Sequence, residues 1–292
     1  MPELSYAYTL SAIAALLMGF VVIFIKLAQS PGRLGIGISL ATGTFVMFVL
    51  AGEDAALLVR LPYRDLALFF VIGTLEFTVG LMLYYESLQL GSVSVAVPIT
   101  RLKVLPLLAF SILLGLEVFR WALLGACVLV VLGGVLVGGR DSGAEARDRA
   151  TQRLSVLLAI AACLCWAVAE TLIGKLPKDL PPIPTNALLL SCALVSWVLY
   201  ALVSGAWREL LQMPGRGVWC YMAHGIISLS TAFVLIVRAM QIAGPPRVNV
   251  ITSTYPLISA MVGWWLFKER FSPMIGLGAL LLVTGVILLQ FI

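Results

Sequence analysis

Runs of roughly 20 apolar residues, separated by short clusters of charge, leave this chain few ways to fold, because a helix of that length rises about 30 Å, the thickness of a bilayer's hydrocarbon core. Of the 292 residues, 61% are hydrophobic and 11% charged, where an ordinary soluble domain carries about 25% charged residues. No water-soluble interior can hide that much apolar surface, so the expected solvent is lipid. Windows of about 19 residues place about ten spans. They are Tyr6 to Ile25, Gly35 to Leu50, Leu66 to Leu88, Val93 to Leu114, Trp121 to Gly138, Leu154 to Gly174, Asn186 to Ser204, Val218 to Ile242, Val248 to Phe267 and Met274 to Ile292. The expected fold class is an all-α membrane protein of ten transmembrane helices. The formal charge of +5 does not point to nucleic acid, since the basic residues lie mainly between spans, where topology and anionic headgroups account for them. The first apolar run starts behind an acidic residue, Glu3, and reads as a retained span rather than a cleaved signal. The cysteines, Cys127, Cys163, Cys165, Cys192 and Cys220, lack metal-ligand spacing and read as packing. Neither a metal nor a cofactor is expected.

Sliding the chain against itself divides it. At a shift of 152 residues (Gln89 to Gln241), Leu83 meets Leu235, Ile99-Thr100 meets Ile251-Thr252, Glu117 meets Glu269, Phe119 meets Phe271 and Gly133 meets Gly285. The polar and aromatic matches at one constant shift exceed what an apolar composition explains. Earlier in each half the shift is about three residues smaller, aligning the stretches that end at Lys26 and Lys175. The expected organisation is a first repeat over 1–138, a hydrophilic connector over 139–153 and a second repeat over 154–292. With an odd number of spans, five in each repeat, the second must begin on the opposite side of the membrane. Inverted repeats of this kind are a common architecture of secondary transporters, with a site near the midplane and alternating access around it.

The ends of the repeats carry a pattern. Ser92 to Thr100, with Pro98, leads to Glu117 and Phe119, and Val250 to Pro256 leads to Glu269 and Phe271. Each is followed by a glycine-rich last span, with Gly125-Ala126 and Gly133-Gly134 in one and Gly276-Leu-Gly-Ala and Thr284-Gly-Val in the other. This resembles the EamA-type branch of the drug/metabolite transporter superfamily along nearly the whole chain. The resemblance implies a small-solute carrier of a bacterial inner membrane, often an exporter, with both termini inside. The positive-inside count disagrees: that orientation leaves Arg60, Arg64, Arg120, Lys175, Lys178 and Arg247 inside and more basic residues outside. One departure is asymmetric. Arg101-Leu-Lys103 stands in the first repeat where Ser253-Thr-Tyr255 stands in the second.

Charge inside a span costs about 3 kcal/mol or more at the bilayer centre, so it lines a cavity or pairs. Glu76, Glu86, Arg101, Lys103, Glu170 and Arg238 lie within spans, with Glu117 at an edge, where Glu117 and Glu269 are expected to cap or orient the following turn. Arg101 and Lys103 fall near the midplane; two residues apart on a continuous helix, they point about 200° from one another, so one should face the pathway and the other pair with Glu76 in its own repeat. A guanidinium supplies a planar fork of donors suited to a carboxylate or phosphate, which makes Arg101 a candidate for binding an anionic group. Glu86 and Arg238 occupy equivalent repeat positions; inversion separates them, and they are candidate gate residues, one at each mouth. Glu170 shares a helix face with Trp166 and is the candidate proton-coupling group. Tyr84, Tyr85, Trp166, Thr252, Ser253, Thr254 and Tyr255 supply aromatic walls and hydroxyls. Pro98, Pro106 and Pro256 are expected to bend the fourth and ninth spans.

The function read from these residues is secondary transport of a small polar or amphipathic metabolite, amino-acid-like or drug-like, coupled to protons and directed outward. The alternatives are an anion or sugar-phosphate exchanger built on Arg101 and Lys103, and a non-transporting accessory subunit. An intramembrane enzyme is disfavoured by the lack of HExxH, GxSxG and any aspartate within a span. Partners are a small-molecule substrate and membrane lipids, with monomer and homodimer both open.

Overall fold

The computed structural model of the chain describes residues 2–90, 99–138, 149–267 and 273–291. The motif from Ser92 to Pro98, most of the connector and Glu269 lie outside these residues. Among the described residues all regular structure is helical, and 6 helices are long and apolar enough to cross a membrane. They are α1 (Pro2–Ala28), α2 (Gly32–Ala51, continued by a 3₁₀ stretch, Gly52–Arg60), α3 (Tyr63–Leu90), α6 (Arg149–Ile173), α7 (Pro182–Ser204) and α8 (Gly215–Ala243). The other expected windows hold shorter or interrupted helices. These are α4 (Val104–Leu113, after helical residues 99–101), α5 (Trp121–Gly138), α9 (Pro245–Thr252 and Tyr255–Phe267) and α10 (Pro273–Leu288).

The helices pack in pairs that reproduce themselves when the two halves are exchanged. The α2–α7, α4–α9 and α5–α10 pairs map onto themselves, while α1–α8 maps onto α3–α6. Two apolar cores result. The larger joins α1, α2 and α3 to α6, α7 and α8, and the smaller joins α4 and α5 to α9 and α10. Large apolar side chains such as Phe45, Leu157, Val203 and Leu280 stay exposed on the outer faces, as a lipid solvent allows.

Local departures from the α-helix recur in register with the sequence repeat. A π turn occupies Thr74–Val79 in α3 and Gly225–Ala232 in α8. The wider turn leaves carbonyls without a helical donor, and side chains of neighbouring helices supply one. Trp166 Nε1 donates to the Glu76 carbonyl at 2.9 Å, and Asn186 Nδ2 donates to those of Leu229 and Ser230 at 2.9 and 3.3 Å. Where each π turn begins, the backbones touch. A Cβ on Gly73 would stand 2.4 Å from the Leu189 carbonyl oxygen of α7, and one on Gly225 2.4 Å from the Ser39 carbonyl oxygen of α2. Backbone cannot give way as a side chain can, so Gly225→Ala or Gly73→Ala should cost about 1–3 kcal/mol by overpacking. Thermal unfolding in detergent measures this, and an unchanged midpoint in both variants contradicts the close approach.

The last spans cross equally closely. Gly133 and Gly278 face each other's carbonyls, where added Cβ atoms would stand at 2.7 and 2.8 Å. Close backbone approach is how helices associate when lipid offers no hydrophobic drive between them. At the other end of the architecture, Gly244 takes φ 83 and turns α8 into α9 within one residue, a conformation open to glycine. Pro245 then opens α9, where its missing N–H costs nothing.

Candidate functional site

The fourth span does not run through as one helix. Leu102 N–H bonds to the Ile99 carbonyl at 3.0 Å and Leu105 N–H to the Leu102 carbonyl at 3.0 Å, a tight three-residue pattern that interrupts the helix at Leu102 and Lys103. In α9 the same pattern, from Thr254 to Ile251 at 3.1 Å and Leu257 to Thr254 at 3.0 Å, interrupts the helix at Ser253 and Thr254. The bonds recur 152 residues apart, Leu102 N–H answering to Thr254 N–H and Leu105 N–H to Leu257 N–H, the shift at which the sequence matches itself. Prolines explain the breaks in part: Pro106 and Pro256 each lack an N–H and crowd the carbonyl four residues back, that of Leu102 or Thr252.

The break changes where two cations go. The expectation of opposite faces for Arg101 and Lys103 rested on a continuous helix, and the turn between them brings both side chains into one cluster. The Arg101 guanidinium stacks on the Tyr255 ring at 4.1 Å from its centre, its stem lying over Gly134 of α5. Lys103 Nζ reaches Glu170 Oε1 at 2.6 Å and stands 5.7 Å from the centre of the Trp166 ring. Tyr84 packs on Trp166 at 5.5 Å and lies in the electrostatic reach of both Arg101 and Tyr255. Glu76 is buried within reach of Lys103 and Glu170.

The expected Glu76–Lys103 pair inside the first half is therefore corrected. The partner of Lys103 is Glu170, from the other half. Two causes are visible: α6 packs against both α3 and α4 and brings Glu170 in beside the α4 break, while the π turn at Thr74–Val79 alters the direction a regular helix would give Glu76. Trp166 and Glu170 lie on one face of α6 as their spacing requires, and each binds a different element of the first half.

Among the described residues, three buried atoms in this cluster have no hydrogen-bond partner: Glu76 Oε2, Glu170 Oε2 and Arg101 Nε. Among the described residues no carboxylate stands within ion-pair distance of Arg101. Leaving a charged group's donors and acceptors unmet in a buried place costs kilocalories each. The cluster thus has a cationic end at Arg101, stacked on Tyr255, and an anionic end at Glu76 and Glu170, while Thr252 and Ser253 are buried at the α9 break. Tyr84, Trp166 and Tyr255 wall the space between and are only partly buried, and the Lys103 side chain keeps 17% exposure.

The remaining candidates lie apart from this centre. Glu86 faces Arg33 at 3.8 Å, and Arg33 also binds Glu209 at 3.1 Å, at the end of the molecule where α8 begins. Arg238 is on the last turns of α8, roughly 35 Å further along that helix. There it lines a recess of about 650 Å³ with Glu3, Tyr6, Lys178 and Gln241. An adjoining recess of about 240 Å³ contains Glu117 and Arg247, which form a two-pronged pair, Nε to Oε2 at 3.2 Å and Nη2 to Oε1 at 3.1 Å. Glu117, expected to order its own turn, instead ties the end of the fourth span to the start of α9. Arg33 and Asn249 were not singled out from sequence, and Gly134 and Arg247 were read only as part of a glycine-rich span and as a loop cation. Asn249 is fully buried with its Oδ1 unpartnered, and its position one helical turn before Ser253 was the signal available.

Residues 153–291 match the EamA-like transporter family. The match lies in the second half of the chain, which is thus similar to EamA-like transporters. A relative from Archaeoglobus fulgidus, described as an uncharacterized transporter, is 25% identical to this chain over 227 residues, 76% of each sequence. A protein of known crystal structure superposes with a TM-score of 0.81 over 98% of this chain and 97% of its own, at 18% identity. That likeness concerns the fold alone, and it extends over both halves. The chain is an integral, multi-pass membrane protein.

Proposed function

We propose that the chain is a secondary carrier for a small zwitterionic solute of the amino-acid type, working by alternating access as an exporter in a bacterial inner membrane. In this reading ten helices cross the bilayer as two inverted five-helix repeats. Support comes from the self-mapping helix pairs and from π turns and helix breaks recurring at one shift, which is how a two-fold carrier places a site where its halves meet. The observation that carries the substrate class is the polarity of the central cluster. Arg101, buried without a carboxylate partner among the described residues, suits the solute's carboxylate. The spare oxygens of Glu76 and Glu170 suit its ammonium, and the aromatic wall suits its side chain. Glu170 also stands where a proton-coupling carboxylate is needed, and Glu86 and Arg238 at opposite ends suit gates.

The anion or sugar-phosphate reading draws on the same Arg101. It is weakened because its second cation, Lys103, is already neutralised by Glu170.

Counterflow tests the proposal. Liposomes containing only the purified protein, loaded with an unlabelled mixture of the common amino acids, are placed in a trace of the same mixture carrying radiolabel. Transient accumulation of label at least about fivefold above protein-free liposomes is expected. No accumulation with amino acids, together with accumulation of labelled inorganic phosphate in phosphate-loaded vesicles, would transfer the reading to anion exchange.

A further inference from the structure

The central cluster contains two carboxylates and two cations, but they are not paired one to one. Lys103 has three N–H donors, one of them on Glu170 Oε1 at 2.6 Å, and feels the charge of Glu76 as well. Glu170 Oε2 and Glu76 Oε2 remain unpartnered. Arg101 is turned away from both, onto Tyr255. Two anions are therefore served by one ammonium, with acceptor capacity left for a second.

Lys103 is also the member of the cluster best able to move. It is attached at the turn where the helix restarts, its four-carbon stem is flexible, and its side chain is 17% exposed against 6% for Glu170. The face of Trp166, 5.7 Å from Nζ, offers an ammonium a resting place between acceptors. The second half has no counterpart, since the position 152 residues on is Tyr255.

We propose that Lys103 is a tethered counter-ion: it occupies Glu170 while the carrier is empty and yields that carboxylate to the ammonium of the arriving solute, moving to Glu76. This rests on the zwitterion reading above and adds the transport mode. A carboxylate carried unpaired through the closed intermediate costs several kilocalories per mole, which blocks return of an empty carrier. Lys103 removes that penalty at Glu170, which lets the empty carrier return and makes transport net rather than strict exchange.

Flux measured two ways tests it, in liposomes loaded with the radiolabelled amino-acid mixture. Exchange is efflux into unlabelled mixture; net efflux is into plain buffer. Wild type should give the two within about threefold of each other. Lys103→Met should lower net efflux at least about tenfold more than it lowers exchange, and Lys103→Arg should restore net efflux. Equal loss of both modes in Lys103→Met, or loss of neither, overturns the proposal. Wild type showing no flux of the mixture in either mode speaks against the zwitterion reading instead. For that case a second readout needs no solute. Single cysteines, Glu86→Cys or Gln241→Cys, are placed in a background without the 5 native cysteines and reacted with an impermeant thiol reagent. Wild type without solute should label at both mouths, and Lys103→Met should lose at least about tenfold in rate at one of them. Unchanged labelling at both mouths overturns the counter-ion role whatever the solute.

Discussion

Replacing Arg101 by Gln should lower amino-acid exchange by about a hundredfold or more, the largest functional effect expected of any single change in this chain. Removing one partner of a buried, hydrogen-bonded charge pair costs about 2–5 kcal/mol, and every 1.4 kcal/mol is about tenfold in an equilibrium. Gln keeps donors and much of the stem that lies over Gly134, so the packing there is kept while the charge goes. Arg101→Lys retains the charge but not the planar fork or the stacking on Tyr255, and should recover only part of the activity. Exchange flux in liposomes, with size-exclusion profiles to show that the variants fold, provides the measurement. Undiminished exchange in Arg101→Gln removes the carboxylate subsite from the proposed function.

Glu117→Ala should cause the largest loss of stability, about 3–5 kcal/mol, the range seen when one partner of a buried ion pair is removed. The Glu117–Arg247 contact is part-buried, with side chains at 7% and 14% exposure, and two-pronged. Without its partner, Arg247 is a part-buried charge at the first turn of α9, the helix that delivers Tyr255. Adding Arg247→Met should return a large share of the loss, because an apolar replacement of the whole pair leaves nothing unpaired. Thermal unfolding in detergent reports both changes. A double variant as unstable as Glu117→Ala alone would mean that the glutamate acts through some other contact.

Six of the expected spans were legible as long apolar helices, because lipid imposes a length and a composition that few other constraints can mimic. The sequence shift has a local echo as well, since Ile99-Thr100 and Ile251-Thr252 each stand just before a helix break. The breaks themselves were not legible. Proline predicts a bend but not the turn at which hydrogen bonding fails, and that turn decided whether Arg101 and Lys103 join one cluster. The choice between Glu76 and Glu170 as partner for Lys103 was equally hidden, because it depends on α6 entering between α3 and α4, a tertiary fact with no local trace. The π turns leave no periodic signal in stretches that are apolar on every side. Glu117 and Arg247, 130 residues apart, give no pairwise hint at all.

The crossed packing of α1 on α8 and α9, and of α6 on α3 and α4, has a consequence for how the chain is made. A ribosome adding about 5–20 residues each second finishes α1 roughly 10–40 s before α8 exists. For that time the first helix waits in the bilayer with lipid where its partner will be. It is suited to waiting, since the buried positions of its first four turns are alanine, leucine and serine. Glu170 arrives differently. By the time α6 is inserted, Lys103 is already in the membrane, so the costly carboxylate enters beside an ammonium. Synthesis order thus places the cation first and the acid that needs it second.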